Sequence, residues 1–225
     1  MKKELFDDYA DAYENILHQQ LSFFEKDTDY FAEYKTDLVS QSAVGKPQKI
    51  LEFGCGTGRN LIFLKRNFPA SRIYGCDISS KSLEVAARHN PEAVLFQSGK
   101  NKAPYNDHFD LILVACVLHH IPPELWREKF IQLRDWLKIK GEIFIFEHNP
   151  YNPVTRRLVS SCPYDKGAVL LRPKEVASLL EGVGFRIIER RYVLFFPSLL
   201  RKLRFLEKKM AFIPLGGQYF LHAIK

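Results

Sequence analysis

The chain has 225 residues, a length typical of one globular domain. Hydrophobic residues make up 46% of it, and the formal net charge of +7 favours anionic partners such as nucleic acid, phosphorylated metabolites or acidic lipid. Its four cysteines are too far apart for a zinc knuckle or a disulfide framework, and no apolar run approaches the ~20 residues that span a bilayer. We therefore expect a cytoplasmic protein with reduced thiols.

Apolar residues at helical spacing predict two helices at the N-terminus. The first covers residues 3–25 and carries Tyr9 and Tyr13 in its apolar stripe. The second begins near Asp29, which can cap it. Residues 1–45 are therefore expected to form a helical cap.

From Lys49 onward, predicted strands alternate with predicted helices. The strands are residues 50–53, 72–76, 93–97, 109–115 and 142–146. The helices between them are residues 58–67, 79–89 and 123–137. This rhythm with short connections is typical of a doubly wound, mostly parallel α/β sheet, so residues 46–147 are expected to form its core.

The alternation stops after Glu147, and residues 148–172 are expected to form an irregular lid. Residues 173–225 then predict C-terminal helices and an antiparallel strand pair. Their elements are a helix over 173–180, a strand over 185–196, a basic amphipathic helix over 197–213 and a last strand over 218–224. The whole chain, 1–225, is expected to be a single domain.

The most informative segment is Leu51-Glu52-Phe53-Gly54-Cys55-Gly56-Thr57-Gly58, in which a buried strand runs into a glycine-rich turn. Alternate glycines keep Cβ atoms out of the turn, so a ligand can approach the backbone and the first amides of the next helix. The spacing differs from the Gly-x-Gly-x-x-Gly of nicotinamide sites. Glu52 would repel a pyrophosphate but attract a cationic group.

A second predicted binding group follows the next strand. Asp77 can accept hydrogen bonds from both hydroxyls of a ribose, and Ile78 can lie against an adenine. Nicotinamide sites use an acid in the same way, so Asp77 by itself leaves the choice of cofactor open.

These motifs, together with Gln97-Ser98-Gly99 and the run from Ala115 to Pro122, resemble class I S-adenosylmethionine (SAM)-dependent methyltransferases. The segment from Phe6 to Tyr13 resembles the start of the ubiquinone/menaquinone-type members. The resemblance implies a Rossmann-like sheet of seven strands in the order 3-2-1-4-5-7-6, SAM as cofactor and S-adenosylhomocysteine as product. It also implies cofactor contacts from Glu52, Gly54, Cys55, Gly56, Gly58, Asp77, Ile78, Ser98 and Cys116. Ser98 stands where relatives often carry an acid.

Methyl transfer mainly requires that the acceptor be aligned with the donor and water excluded, and a base is needed only if the acceptor must lose a proton. His119, His120 and His148 follow predicted strands and are the candidate bases. The candidate acceptor-binding residues are Tyr9, Tyr13, Glu147, Arg156 and Arg157. The histidines and acids are not spaced as an obvious metal site, so no metal is expected.

We expect a small-molecule or lipid-like acceptor. The basic helix over 197–213 either contacts a membrane peripherally or packs its apolar stripe on the sheet. Nucleic acid is not the expected partner, because no RNA-binding module is recognisable. Three alternatives stay open: an RNA methyltransferase, an NAD(P)-dependent oxidoreductase and a non-catalytic SAM-binding protein.

Overall fold

The computed structural model describes Asp7, Phe24, Glu25 and residues 29–99 and 105–225. Its strands form one sheet in the order β3-β2-β1-β4-β5-β7-β6. The strands are β1 (Lys49–Phe53), β2 (Arg72–Asp77), β3 (Val94–Gln97), β4 (Phe109–Ala115), β5 (Leu137–His148), β6 (Arg186–Val193) and β7 (Gln218–Ile224). Strands β1 to β5 are parallel, whereas β7 runs antiparallel between β5 and β6. The predicted fold class and strand order are confirmed.

Helices cover both faces of the sheet. They are α1 (Asp29–Ser42), α2 (Arg59–Asn67), α3 (Ser80–His89), α4 (Trp126–Trp136), α5 (Pro153–Ser161), α6 (Pro173–Glu181) and α7 (Glu207–Met210). Helices α1 and α2 share a hydrophobic core with one face, and α4 and α6 share a second core with the other.

Strand β4 shows why the sheet is central to the fold. Leu111 and Leu113 point into the core beneath α1 and α2, whereas Ile112 and Val114 point into the opposite core. All four are completely buried. A strand that is apolar on both faces suits the middle of a parallel sheet.

The sheet also sets the position of the candidate site. Strand β1 pairs with β2 on one side and β4 on the other, so the winding of the chain reverses between β1 and β4. In open α/β sheets such a switch point creates a ligand crevice at the carboxyl ends of the strands. Phe53, Asp77, Ala115 and His148 end their strands at this edge.

The expectation that residues 148–172 are irregular is wrong, since they contain α5 and a 3-10 turn at Pro163–Asp165. Asn152 caps α5 by accepting hydrogen bonds from the amides of Val154 and Thr155. Pro153 occupies the first turn, where its missing N–H costs nothing. Pro153 and Pro163 therefore mark the start of a helix and of a 3-10 turn.

Residues 197–213 do not form the single regular helix that the sequence predicts. Ser198–Leu206 is a 3-10 helix interrupted at Leu200, and the short α7 follows it. None of the residues in Ser198–Leu206 is buried, and 91% of Leu199 is exposed. The apolar stripe is therefore not packed against the sheet along its whole length.

Three further expectations concern other parts of the chain. The predicted helix over 3–25 lies almost entirely outside the described residues. All four cysteines are free. In the described part of the chain, no helix combines the length and apolar character needed to cross a bilayer.

Candidate active site

A cavity of about 850 Å³ opens at the carboxyl edge of the sheet. Most of the predicted cofactor residues line its wall: Glu52, Gly54, Cys55, Gly56, Asp77, Ile78, Ser98 and Cys116. Gly58 is not part of that wall. One cavity therefore brings together residues that follow β1, β2, β3 and β4.

The three glycines of the turn have φ angles of +74°, +51° and +82°, in the left-handed region that favours glycine. A Cβ on Gly54 would lie 2.5 Å from Cγ2 of Val117, and one on Gly58 would lie 2.6 Å from Nδ2 of Asn90. Gly54 and Gly58 thus permit close packing. A Cβ on Gly56 would meet no atom within 4 Å, so Gly56 keeps space open beside the cavity.

Asp77 is held by the backbone at the end of β2. Its Oδ2 accepts the amide of Gly56 and its Oδ1 accepts the amide of Ser79, both at 2.9 Å. Each oxygen keeps lone-pair capacity for a further donor. Burial raises the pKa of Asp77 against the opposing effect of these two amides.

Glu52 has only 1% of its surface exposed. Its Oε1 accepts a hydrogen bond from Nδ2 of Asn60 at 2.5 Å, while its buried Oε2 has no partner among the described residues. Burial raises the pKa of Glu52 to about 8, with Asn60 and the Lys35 charge opposing that rise. A buried acceptor without a donor fits a site for a cationic or hydrogen-bonding ligand group.

A histidine cluster forms another part of the cavity wall. Nδ1 of His119 lies 2.6 Å from Oε2 of Glu147, whose Oε1 accepts the amides of Val117 and Leu118. Nε2 of His119 and Nε2 of His120 lie 3.4 and 3.5 Å from Oδ1 of Asp165. The His148 ring packs beside His119, with 4.9 Å between the ring centroids.

The three imidazoles have different electrostatic environments. Burial lowers the pKa of His119, but the Glu147 carboxylate and the bond to Asp165 outweigh it and raise that pKa to about 10. Burial and the charge of His119 lower the pKa of His120 to about 3 and that of His148 to about 4. None of the three imidazoles has a pKa near 7, the value that best suits a general base working at neutral pH.

None of the candidate acceptor-binding residues that the structure describes lines the cavity wall. Arg156 and Arg157 are exposed on α5, and neither lines the cavity. Glu147 is buried behind His119, with both carboxylate oxygens engaged. Tyr9 and Tyr13 lie outside the described residues.

Lys35, Asn60 and Asp165 are among the polar residues on the wall that sequence reasoning missed. Lys35 is buried on α1, far along the chain from the residues it faces. Asp165 ends a 3-10 turn in the segment that was expected to be irregular. Lys35 could have been recognised as a polar residue on an otherwise apolar helix face. No local sequence pattern indicates that Asp165 lies in the cavity.

The remaining wall is largely apolar. Its side chains come from Phe24, from α1, from α5 and from the segment after β6: Phe24, Phe31, Val154, Leu158, Leu194 and Phe195. The cavity therefore joins a polar end beside Glu52 and Asp77 to an apolar region.

Comparison with known proteins finds relatives of this chain among methyltransferases. Residues 50–141 match a family described as a methyltransferase domain. A demethylmenaquinone methyltransferase from Thermotoga maritima is 32% identical over 149 residues, covering 66% of this chain and 62% of that protein. A malonyl-[acyl-carrier protein] O-methyltransferase from Halalkalibacterium halodurans is 27% identical, covering 64% of this chain and 54% of that protein. The chain thus spans less than two thirds of the length of these relatives.

Solved structures agree on the fold. A SAM-dependent methyltransferase from Archaeoglobus fulgidus matches with a TM-score of 0.71 at 16% identity, covering 92% of this chain and 97% of that one. A possible histamine N-methyltransferase from Thermotoga maritima also matches with a TM-score of 0.71 at 16% identity, covering 99% of both chains. The chain therefore carries a match to a methyltransferase domain over residues 50–141, and its strand order and these structures show that it has the fold of SAM-dependent methyltransferases, whose cofactor is S-adenosylmethionine.

Proposed function

We propose that this chain is an enzyme that transfers a methyl group from SAM to a small-molecule or lipid-like acceptor. One observation carries the proposal: a single cavity joins the predicted cofactor residues to an apolar region beside a histidine cluster. Donor and acceptor can therefore meet in one cavity. A protein that only stored SAM would not need the second region.

The residues of the polar end fit this cofactor. The orphaned Oε2 of Glu52 offers an acceptor to the amino-acid tail, and Asp77 offers lone pairs to ribose hydroxyls. Gly56 leaves room for the ligand beside the turn. A dinucleotide would instead bring its pyrophosphate close to Glu52, which disfavours the oxidoreductase alternative.

When bound, SAM supplies a methyl group on an electrophilic sulfonium. The chain's contribution is to bind, orient and exclude water, and such positioning is worth ~7–11 kcal/mol in favourable cases. Glu52 and Asp77 fix the two polar ends of the cofactor. The apolar side chains around Phe31 and Leu158 hold an acceptor of low polarity and limit access of water.

A membrane surface is the partner that best fits the segment after the cavity. Residues 198–215 expose large apolar side chains, with 72% of Phe205 and 80% of Phe212 accessible. Arg201, Lys202, Lys208 and Lys209 in the same segment are exposed and basic. Apolar and cationic groups together suit the interface of an anionic bilayer. Pro197 lines the cavity at the start of this segment, so a lipid-like acceptor would have a short path to the site.

The cofactor part of the proposal is tested with two matched glycine variants. Gly56→Val and Gly167→Val both place a side chain at a left-handed position with open space, at φ +51° and +85°. Only Gly56 lines the cavity. Titration calorimetry should therefore show SAM binding at least tenfold weaker in Gly56→Val and unchanged in Gly167→Val. Equal affinity in both variants would contradict the site.

A parallel experiment tests Asp77 and turnover. Asp77→Asn should weaken SAM binding, whereas the same change at exposed Asp135 should not. Incubation of the wild type with methyl-labelled SAM and a fractionated lipid and metabolite extract should yield a labelled product that Asp77→Asn forms more slowly. SAM binding without product in any fraction would favour the non-catalytic alternative, and label in added RNA would favour the RNA methyltransferase.

A further inference from the structure

The histidine cluster contains three side chains with the geometry of a metal site. His119, His120 and Asp165 each offer one ligand atom, and these three atoms lie within 4.8 Å of one another. Their side chains are only 1%, 16% and 11% exposed. Two come from the turn after β4 and one from the turn after α5, so the folded chain assembles the cluster from distant segments.

Two of the three separations between the ligand atoms agree with those around a bound ion. In a tetrahedral site, ligand atoms about 2.0–2.1 Å from zinc are ~3.3 Å from each other. The carboxylate oxygen of Asp165 lies 3.4 Å from Nε2 of His119 and 3.5 Å from Nε2 of His120. An ion can therefore enter between these atoms with small adjustments of the side chains.

An independent observation is the way in which His119 is oriented. Its Nδ1 contacts Oε2 of Glu147 at 2.6 Å, which leaves Nε2 directed at the cluster. Glu147 is itself fixed by the amides of Val117 and Leu118 at 2.9 and 2.6 Å. A carboxylate on the far nitrogen is the usual support for a metal-binding histidine, because it fixes the tautomer and the ring.

We propose that His119, His120 and Asp165 bind a divalent transition-metal ion, with Glu147 as a positioning residue. Two imidazoles and one carboxylate suit Zn²⁺, Fe²⁺ or Co²⁺ better than Mg²⁺ or Ca²⁺, which prefer oxygen ligands. This proposal differs from the sequence-based expectation that no metal is present.

Three protein ligands leave an open coordination position, as in catalytic zinc sites. All three side chains line the cavity, so an oxygen or nitrogen of a ligand there can fill that position. This step rests on the proposed function: the ion would orient a polar atom of the methyl acceptor. The acceptor would then combine an apolar body with one metal-binding oxygen or nitrogen.

Metal binding is tested directly on the 225-residue chain after chelation and dialysis. Titration with Zn²⁺ and with Co²⁺ should show one ion per chain. His120→Gln and Asp165→Asn should each weaken binding at least tenfold, and Glu147→Gln should weaken it by about 10–100-fold. The matched controls His89→Gln and Asp135→Asn change exposed side chains outside the cluster and should bind as the wild type does.

The Co²⁺ complex provides a second readout through its absorption spectrum. A spectrum of nitrogen and oxygen ligation is expected, and it should be lost in His120→Gln while circular dichroism shows the fold intact. Absence of saturable binding, unchanged affinity in both ligand variants, or a thiolate-to-metal band would overturn the assignment. SAM affinity measured in the same metal-free samples is independent of this result, so the two proposals can fail separately.

Discussion

The charge state of Glu52 has the most direct effect on the affinity of the cavity for its ligand. A buried carboxyl with one unpartnered oxygen is costly in the free protein, because desolvation penalises the ionised form. Such groups are enriched at functional sites, where a bound ligand supplies the missing hydrogen bond or opposite charge. The cationic tail of SAM is the counterpart that we propose.

The pH dependence of SAM binding follows from this charge state. Because the folded-state pKa of Glu52 is about 8, above the ordinary 4.5, the carboxyl is protonated below pH 8 and must release its proton to meet a cation. Affinity should therefore rise by up to about tenfold per pH unit between pH 6 and pH 8. Calorimetry in buffers of different ionisation enthalpy should detect the released proton. In Glu52→Gln that contribution should disappear, and an unchanged pH slope would assign it to another group.

Glu52 also makes a prediction for the stability of the ligand-free chain. An acid with a raised folded-state pKa destabilises the fold increasingly as the pH rises from about 4.5 to about 8, and fully above that range. Glu52→Gln lacks this penalty. Thermal melts should therefore show the variant gaining stability relative to the wild type between pH 5 and pH 9. A constant difference in melting temperature across this range would contradict the raised pKa.

At the scale of elements, Asn149 connects the end of β5 to the chain that enters β7. It is completely buried, and its Nδ2 donates to the carbonyls of Pro214 and Gly216 at 3.1 and 2.8 Å. Its Oδ1 accepts the amide of Tyr151 at 3.0 Å. This side chain thus adds hydrogen bonds between the segment that follows β5 and the segment that enters β7.

Removing that side chain should destabilise the protein measurably. Asn149→Ala leaves buried carbonyls and an amide unpaired, so we expect the free energy of unfolding to fall by about 1–3 kcal/mol. Chemical denaturation followed by circular dichroism measures this loss. Asn106→Ala, at an exposed position, should change stability by less than about 0.5 kcal/mol. Equal effects of the two variants would show that the Asn149 hydrogen bonds contribute little.

The elements also explain which features could be predicted from sequence. The apolar run of β4, the glycine turn and Asp77 are recognisable from the local sequence. The sheet, and the edge of it at which a ligand would bind, could therefore be predicted. Helix α5 is short and starts with a proline, which hides its periodicity. The partnership of His119 with Asp165 joins segments far apart in the chain, and no local pattern indicates which distant groups will meet.

The leucine stripe after β6 shows a different limit. Leu199 and Leu203 recur at helical spacing, which correctly indicated a helical segment but not what its apolar side chains contact. Both are exposed in the folded chain. Periodicity predicts an apolar face, whereas tertiary structure decides whether that face meets the core or remains accessible.

At the scale of the whole molecule, exposed apolar and basic groups gather beside the cavity. The 3-10 segment is attached next to it, because the amide of Ser198 donates to the carbonyl of Phe24 at 2.7 Å and Pro197 lines the wall. The basic side chains Lys208 and Lys209 follow within the same exposed stretch. A bilayer that bound this surface would lie close to the apolar region of the cavity.

This arrangement predicts binding to anionic vesicles. The protein should sediment with vesicles that contain phosphatidylglycerol and should bind much less to vesicles of phosphatidylcholine alone, and added salt should weaken the anionic interaction. Burying a large apolar side chain is worth about 1.5–3 kcal/mol, so Phe205→Ser combined with Phe212→Ser should reduce affinity at least about tenfold. Lys208→Glu combined with Lys209→Glu should reduce it further at low salt.

The decisive comparison is with an apolar side chain that is equally accessible but lies on another part of the surface. Ile139 on β5 is 80% exposed, as is Phe212, and it lies outside the cavity wall and the basic segment. Ile139→Ser should therefore leave vesicle binding unchanged. If it weakened binding as much as the double phenylalanine variant does, general hydrophobicity would explain the association. If neither change mattered, the proposed membrane surface would be wrong, and the exposed leucines would require another partner.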